Sequence, residues 1–129
     1  FVSPVAEKKR SDEQIRAFRI KCASGRQYVN TLSGGNKQKV SFGKWTAKGS
    51  EVIIMDCPTR GVDVGVKAAM YDIIYRMKQA GKSVILISEE LQELIGMSDR
   101  ILIMKDGEVT FEGMRSSNLT EHQLIEYMI

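Results

Sequence analysis

The chain has 129 residues, of which 43% are hydrophobic and 27% charged, so it provides one globular domain and is neither disordered nor fibrous. Nineteen basic and sixteen acidic side chains leave a net charge of +3 without a block of five like charges, which only weakly indicates nucleic-acid binding. Cys22 and Cys57 lack a CxxC spacing, and with the single histidine, His122, they provide no metal cluster and favour a reduced cytosolic chain.

The first half of the chain predicts two helices followed by a strand. After an irregular lead-in over residues 1–10, the capping box Ser11–Gln14 predicts the start of a short helix. A second helix is predicted to begin near Ser33 and to end around Gly49, because a basic last turn followed by glycine is typical of helix ends. The apolar residues 52–55 then predict a fully buried strand.

Helices and strands alternate over the rest of the chain. Residue ranges predicted here are a helix at 65–80, a strand at 83–87, a helix at 89–97, and strands at 100–104 and 108–112. Gly81 is expected to close the first of these helices, and Asp106 and Gly107 to form a two-residue turn between the last two strands. A second capping box, Thr120–Gln123, opens a final helix. The alternation predicts an α/β fold with a mainly parallel sheet.

Ser33-Gly34-Gly35-Asn36 is the most specific stretch of the sequence. A serine and two glycines at a helix start expose backbone N–H groups beside the positive end of the helix dipole, and no side chain obstructs a phosphate. Taken alone, such a stretch is more often an ordinary helix start with a flexible entry. Here the following strand ends at Asp56, so a phosphate cradle and a carboxylate suited to Mg²⁺ occur in one short α/β unit.

Several motifs resemble those of one protein family. LSGGN at residues 32–36 resembles the signature motif of the ATP-binding subunits of ABC transporters, VIIMD at 52–56 resembles Walker B, and GVD, ending at Asp63, resembles the D-loop. The motifs LSGGNKQKV, GKW, PTRGVDVG and GMSDRI look like the carboxyl-terminal cassette of the simple-sugar importers, the ribose, galactose and xylose type. The resemblance covers about residues 12–129.

The resemblance implies a partial ABC-ATPase domain of the P-loop NTPase type. Residues 1–31 would form part of its helical subdomain, and residues 32–129 the half that carries the signature motif, Walker B, the D-loop and the switch region. The sequence contains no P-loop motif, G-x-x-x-x-G-K-[ST]. Gly81-Lys82-Ser83 resembles its end but precedes a strand, so we interpret it as a helix stop and a strand start. The chain is therefore expected to be a fragment of a cassette.

The resemblance also implies a division of labour between two ATP sites. In the family two cassettes close head to tail, and each ATP lies between the P-loop, Walker B and switch residues of one cassette and the signature motif of the other. Ser33, Gly34, Gly35 and Asn36 would therefore bind the ATP of a partner cassette. Asp63 would help to couple the two sites, although it is also a good cap for the helix that follows.

The chain's own site is expected to be catalytically inactive. Asp56 would hold Mg²⁺ through water, but Cys57 stands where hydrolysing members have a glutamate, and a thiol there is a poor base for water and suits simple packing better. Glu89 stands at the position of the switch histidine, where it cannot donate a hydrogen bond to a γ-phosphate and would repel it. An acid is also ordinary in the first turn of a helix. No catalytic residue is assigned, and the isolated chain is expected to be inactive.

The resemblance implies ATP and Mg²⁺ as cofactors and several protein partners. These are a second cassette, in tandem or as a dimer, membrane permease subunits and, indirectly, a periplasmic or lipoprotein sugar-binding protein, with no nucleic acid. The apolar runs are too short to span a bilayer and the first residues are no signal peptide, so a peripheral place on the cytoplasmic face of the membrane is expected. The isolated fragment is expected to self-associate.

Two other classes of protein stay open. One is a non-transport ABC-type ATPase head of DNA maintenance or repair, which affinity for DNA would identify. The other is a purely structural dimerisation module, which would be insensitive to substitution of Ser33.

Overall fold

A computed structural model describes residues 3–129. The elements are, in chain order, α1 (Pro4–Ala17), α2 (Gly34–Thr46), β1 (Val52–Asp56), α3 (Val64–Gln79), β2 (Ser83–Ile87), α4 (Leu91–Met97), β3 (Arg100–Lys105), β4 (Glu108–Met114) and α5 (Glu121–Ile125). A short 3₁₀ turn, Val29–Thr31, leads into α2. No helix within the described range is both long and apolar enough to cross a bilayer.

Helix α1 begins earlier than the sequence predicts. Pro4 occupies its first turn, where the missing N–H of proline costs no hydrogen bond, and the helix runs on through Ser11. The expected irregular lead-in is therefore wrong from Pro4 onward, while residues 1–2 lie outside the described range. Residues 4–10 of α1 are all exposed, so the sequence lacks there the apolar repeat that would have extended the prediction.

The predicted start of α2, the end of α3, the last capping box and the turn between β3 and β4 are confirmed. Ser33 precedes α2, and Gly81 follows α3 with a φ of +79° that glycine adopts without strain. The Thr120 side chain accepts a hydrogen bond from the Gln123 N–H, and the Gln123 side chain accepts one from the Thr120 N–H. The two-residue turn between β3 and β4 places residues 106 and 107 at φ values of +52° and +84°.

The chain forms two compact units. The first takes in the described residues up to Ile53 together with Pro58–Ile85. Its buried hydrophobic side chains are Phe18, Leu32, Ile53, Met70, Ile73, Ile74 and Met77. Four of these come from α3, as its repeat at three and four residues predicts.

The second unit takes in Ile54–Cys57 and Leu86–Ile129. Its core is Ile101, Ile103 and Leu124, with partly buried Leu91, Leu94, Ile95, Phe111 and Leu119 packed against it. The end of the chain is held on β4, where the Phe111 and Tyr127 ring centroids are 4.9 Å apart and Thr110 Oγ1 donates to the Tyr127 carbonyl at 2.8 Å.

The described strands form two separate pairs. In the β1–β2 pair, the Ser83 N–H donates to the Glu51 carbonyl at one end and the Cys57 N–H donates to the Ile87 carbonyl at the other, so the two strands run parallel. Strands β3 and β4 are antiparallel, with a bulge after Ile103. The predicted α/β class is confirmed. The sheet expected to be mainly parallel is instead one parallel and one antiparallel pair, because a two-residue turn joins only antiparallel strands.

Strand β1 exists as predicted, but it is not buried on both faces. Ile53 and Met55 are buried, whereas the alternate residues of β1 and β2 face solvent. The exposed fractions are 53% for Val52, 67% for Ile54, 50% for Ile85 and 48% for Ile87. Exposed apolar side chains of this kind are suited to contact with further protein.

Candidate functional site

The predicted phosphate cradle lies at the start of α2. Ser33 is the residue before the helix and Gly34 is the first residue in it, and both are exposed. In the described structure Ser33 makes no side-chain capping bond to the first turn. A Cβ added to Gly34 would meet no atom within 4 Å outside its own helix backbone and chain neighbours. The helix start is therefore open at Gly34, beside the positive end of the helix dipole.

The two glycines of this stretch have different environments. Gly35 is buried, and a Cβ on it would lie 2.8 Å from both Cγ atoms of Val66 in the first turn of α3. A carbon–carbon contact of that length is well inside the ordinary 3.5–4.0 Å, so only glycine fits here without displacement. Gly35 allows the start of α2 to lie close to the Val66 side chain, whereas Gly34 keeps the helix start open.

Asn36 is held at both ends of its amide. Its Oδ1 accepts a hydrogen bond from the Lys21 backbone N–H, and its Nδ2 donates to Ser33 Oγ, each at 2.9 Å. The sequence assigned Asn36 to the cradle but gave no indication of Lys21, because that contact joins residues fifteen positions apart. The amide therefore connects the segment after α1 to the Ser33 hydroxyl.

Asp63 caps α3. Its Oδ1 accepts the Val66 N–H at 3.0 Å, and the side chain is exposed. The capping alternative that the sequence allowed is thus present in the structure. Since Val66 also packs on Gly35, the first turns of α2 and α3 form one corner of the first unit, and this corner carries Ser33, Gly34 and Asp63.

The residues predicted for the chain's own site belong to the second unit. Asp56 is the last residue of β1 and is exposed, and Cys57 follows it, half-buried, with a φ of +43°. That left-handed backbone is uncommon for a residue with a Cβ, and no sequence signal predicts it. Within residues 3–129 no group of three or more His, Cys, Asp or Glu side chains could hold a metal ion. Asp56 therefore provides a single carboxylate for a metal ion.

Glu89 lies between β2 and α4. Because α4 begins at Leu91, with Glu90 before it, Glu89 precedes the helix and is not an acid of its first turn. The predicted helix start at Glu89 is therefore two residues too early. Glu89 is exposed and lies in the same unit as Asp56 and Cys57.

Gly81-Lys82-Ser83 has the local structure that the sequence predicts. Gly81 ends the turn after α3 and Ser83 begins β2. Lys82 Nζ lies 3.1 Å from Glu51 Oε1, so the lysine makes an ion pair beside the strand. The triplet is a helix stop and a strand start, because a phosphate loop requires the opposite order of strand, loop and helix.

Relatives of this chain are named as sugar-import ATP-binding proteins. No family model matches the chain. The ribose import ATP-binding protein RbsA of Corynebacterium glutamicum is 47% identical over 112 residues, which are 87% of this chain and 21% of that protein. The arabinose import ATP-binding protein AraG 1 of Burkholderia lata is 40% identical over 126 residues, which are 97% of this chain and 25% of that protein. The chain thus spans a quarter or less of these relatives.

The fold is similar to that of solved ATP-binding cassettes. The dimeric cassette MJ0796, in a post-hydrolysis state bound to ADP and Pi, matches with a TM-score of 0.78 at 24% sequence identity. The match covers 91% of this chain and 50% of that cassette. The α/β fold described above is therefore that of about half a cassette.

Proposed function

The chain belongs by homology to the ABC-type sugar-import ATP-binding proteins, and we propose that it supplies the signature surface for an ATP held by a partner cassette. The observation that carries this proposal is the contrast between Gly34 and Gly35. Gly34 leaves the start of α2 open, and Gly35 is buried against Val66. An exposed helix start without a side chain suits the γ-phosphate of a bound nucleotide.

The chemistry at this surface is electrostatic stabilisation and orientation. The first-turn N–H groups of α2 and the Ser33 hydroxyl donate hydrogen bonds to phosphate oxygens, and the helix dipole favours their negative charge. Asp63 caps Val66, which packs on Gly35, so a shift of the signature corner moves the start of α3 with it. This packing is how Asp63 would couple events at one ATP site to the other.

The residues at the positions of the chain's own ATP site lie in the second unit. The single exposed carboxylate of Asp56 fits Mg²⁺ bound through water, because this ion keeps several waters and takes its other ligands from phosphates. When bound, the ion would neutralise phosphate charge. Cys57 supplies no carboxylate base for water, and Glu89 supplies no hydrogen-bond donor for a γ-phosphate. We therefore infer that ATP hydrolysis takes place at the partner's P-loop, with this chain contributing across the interface.

The relatives indicate the setting of the whole protein. They are named for ribose and arabinose import, so we propose a simple-sugar importer in which this segment works with a second cassette and with membrane permease subunits. The ATP-binding protein would lie on the cytoplasmic face, and a separate sugar-binding protein would deliver the substrate. Relatives named for sugar import favour this function over a DNA-maintenance ATPase head, so DNA is not an expected partner.

Sugar uptake by cells carrying the complete transporter tests the proposal. Ser33→Arg places a long cation in the cradle and is expected to abolish uptake. Ser41→Arg, at an exposed position about 12 Å further along α2, adds the same charge and volume and should leave uptake intact. If both variants transport sugar normally, the start of α2 does not bind the partner's nucleotide.

A further inference from the structure

Asn36 has a contact pattern that separates it from the rest of the cradle. Its oxygen accepts the Lys21 N–H and its amide nitrogen donates to Ser33 Oγ. Only the oxygen of an amide can accept a hydrogen bond from a backbone N–H, so the bond from Lys21 sets the orientation of the Asn36 amide. The second bond then occupies an acceptor position on the Ser33 hydroxyl.

The consequence for Ser33 concerns its hydroxyl hydrogen. A serine hydroxyl has one hydrogen to donate and two lone pairs that accept. Because Asn36 Nδ2 is itself a donor, the hydrogen of Ser33 cannot point toward it and is directed elsewhere. Ser33 is exposed, so this hydrogen is open to an incoming acceptor.

We propose that Asn36 is a positioning residue that keeps the Ser33 hydroxyl oriented as a hydrogen-bond donor for a phosphate oxygen of the partner's ATP. This assignment rests on the proposed function, because it needs a phosphate at Ser33. It changes the expected role of Asn36 from direct contact with ATP to action through Ser33. The segment after α1 thereby helps to orient the Ser33 hydroxyl without touching the nucleotide.

The segment that holds Asn36 has a defined backbone. The Ile20 N–H donates to the Ile15 carbonyl at 2.9 Å, and Lys39 Nζ, from the second turn of α2, donates to the Arg19 carbonyl at 3.3 Å. Two side chains of α2, those of Asn36 and Lys39, therefore bind the backbone of residues 21 and 19. The Lys21 N–H is a fixed donor toward which the Asn36 oxygen can turn.

Asn36→Asp is the most informative substitution. An aspartate keeps an oxygen for the Lys21 N–H, but its second oxygen accepts a hydrogen bond, so the Ser33 hydrogen turns inward and is lost to the phosphate. The fold should be unaffected, because aspartate is favoured in the first turn of a helix. A structural role for Asn36 predicts the reverse, namely an altered melting temperature with normal turnover.

A double-mutant cycle in the complete ATP-binding protein, assembled with its permease, tests the assignment. We expect Asn36→Ala to lower kcat about tenfold when Ser33 is present, and less than about twofold in the Ser33→Ala background, because groups that act as a unit are not additive. KM for ATP should change little in either background. Asn36→Asp should lower kcat at least as far as Asn36→Ala, with the melting temperature of the protein unchanged.

The outcomes separate this assignment from the proposed function. If Ser33→Ala lowers kcat while Asn36→Ala has the same effect in both backgrounds, Asn36 does not act through Ser33 and the assignment is overturned. If Ser33→Ala alone leaves kcat unchanged, the proposed contact between Ser33 and the nucleotide is wrong, and the assignment of Asn36 is overturned with it.

Discussion

Gly35 lies against Val66 so closely that a Cβ on the glycine would be 2.8 Å from both Cγ atoms of the valine. The first turn of α2 therefore packs on the first turn of α3, whose N–H at Val66 is capped by Asp63. Two motifs that are thirty residues apart in the sequence form one corner of one unit. Gly34, next to this contact, remains open.

Gly35→Ala is expected to destabilise the fold by about 1–3 kcal/mol, the usual cost of forcing a methyl group into a packed contact. Urea unfolding of the chain measures the change. Gly34→Ala is the matched control, and its stability should be unchanged or raised by up to about 1 kcal/mol, because the site is open and helical. Val66→Ala should restore part of the loss in the double variant. Equal effects of the two glycine substitutions would contradict the packing role of Gly35.

Substitutions of Asp63 separate its two roles. Asp63→Ala removes the cap of α3 and should cost about 1 kcal/mol in unfolding free energy, whereas Asp63→Asn keeps a capping oxygen and should be nearly neutral. In the assembled transporter we expect Asp63→Asn to lower ATP turnover, because the carboxylate charge is lost from the coupling surface. Wild-type turnover in Asp63→Asn would show that Asp63 acts as a helix cap alone.

The isolated chain should bind ATP weakly and should not turn it over. Its sequence contains no P-loop, so the start of α2 supplies part of the phosphate contacts of a complete site. Calorimetric titration with ATP and Mg²⁺ should detect no micromolar binding. A micromolar or tighter dissociation constant would mean that this chain holds a nucleotide site of its own.

The isolated chain should also self-associate. Ile54 and Ile85 expose 67% and 50% of their surface on the β1–β2 pair, and an exposed apolar strand surface promotes association. Light scattering at tens of micromolar should detect dimers or larger species. Ile54→Lys should reduce their fraction, and Val5→Lys, at an exposed valine of α1, should not. A clean monomer of the unsubstituted chain would refute this expectation.

The sequence predicts the element order well because its signals are local. The repeat in α3, the turn at Asp106 and the capping box at Thr120 each depend on residues a few positions apart, and all three are present. The sequence does not predict the early start of α1, because residues 4–10 are all exposed and carry no apolar repeat. The exposed face of β1 was missed because an unbroken apolar run does not reveal which side of a strand is covered.

The sequence nominates residues for the candidate site but does not indicate their contacts. The motif identifies Gly34 and Gly35 together, and only the packing of Val66 distinguishes them. The bond from Lys21 to Asn36 and the left-handed backbone of Cys57 also depend on tertiary structure. No local pattern of residue types signals this bond or this backbone conformation, so the sequence could not predict them.

Steady-state ATPase rates of Ser33→Arg and Cys57→Glu in the assembled transporter test the division of labour most directly, with Cys57→Ser as the control for loss of the thiol. We expect Ser33→Arg to lower turnover at least about tenfold, because it blocks the phosphate bound on the partner cassette. Cys57→Glu should change turnover by less than about twofold, since a base alone cannot complete a site whose groups act as a unit. Normal ATP turnover in Ser33→Arg together with a severalfold rise of turnover in Cys57→Glu would contradict the assignment of the two sites.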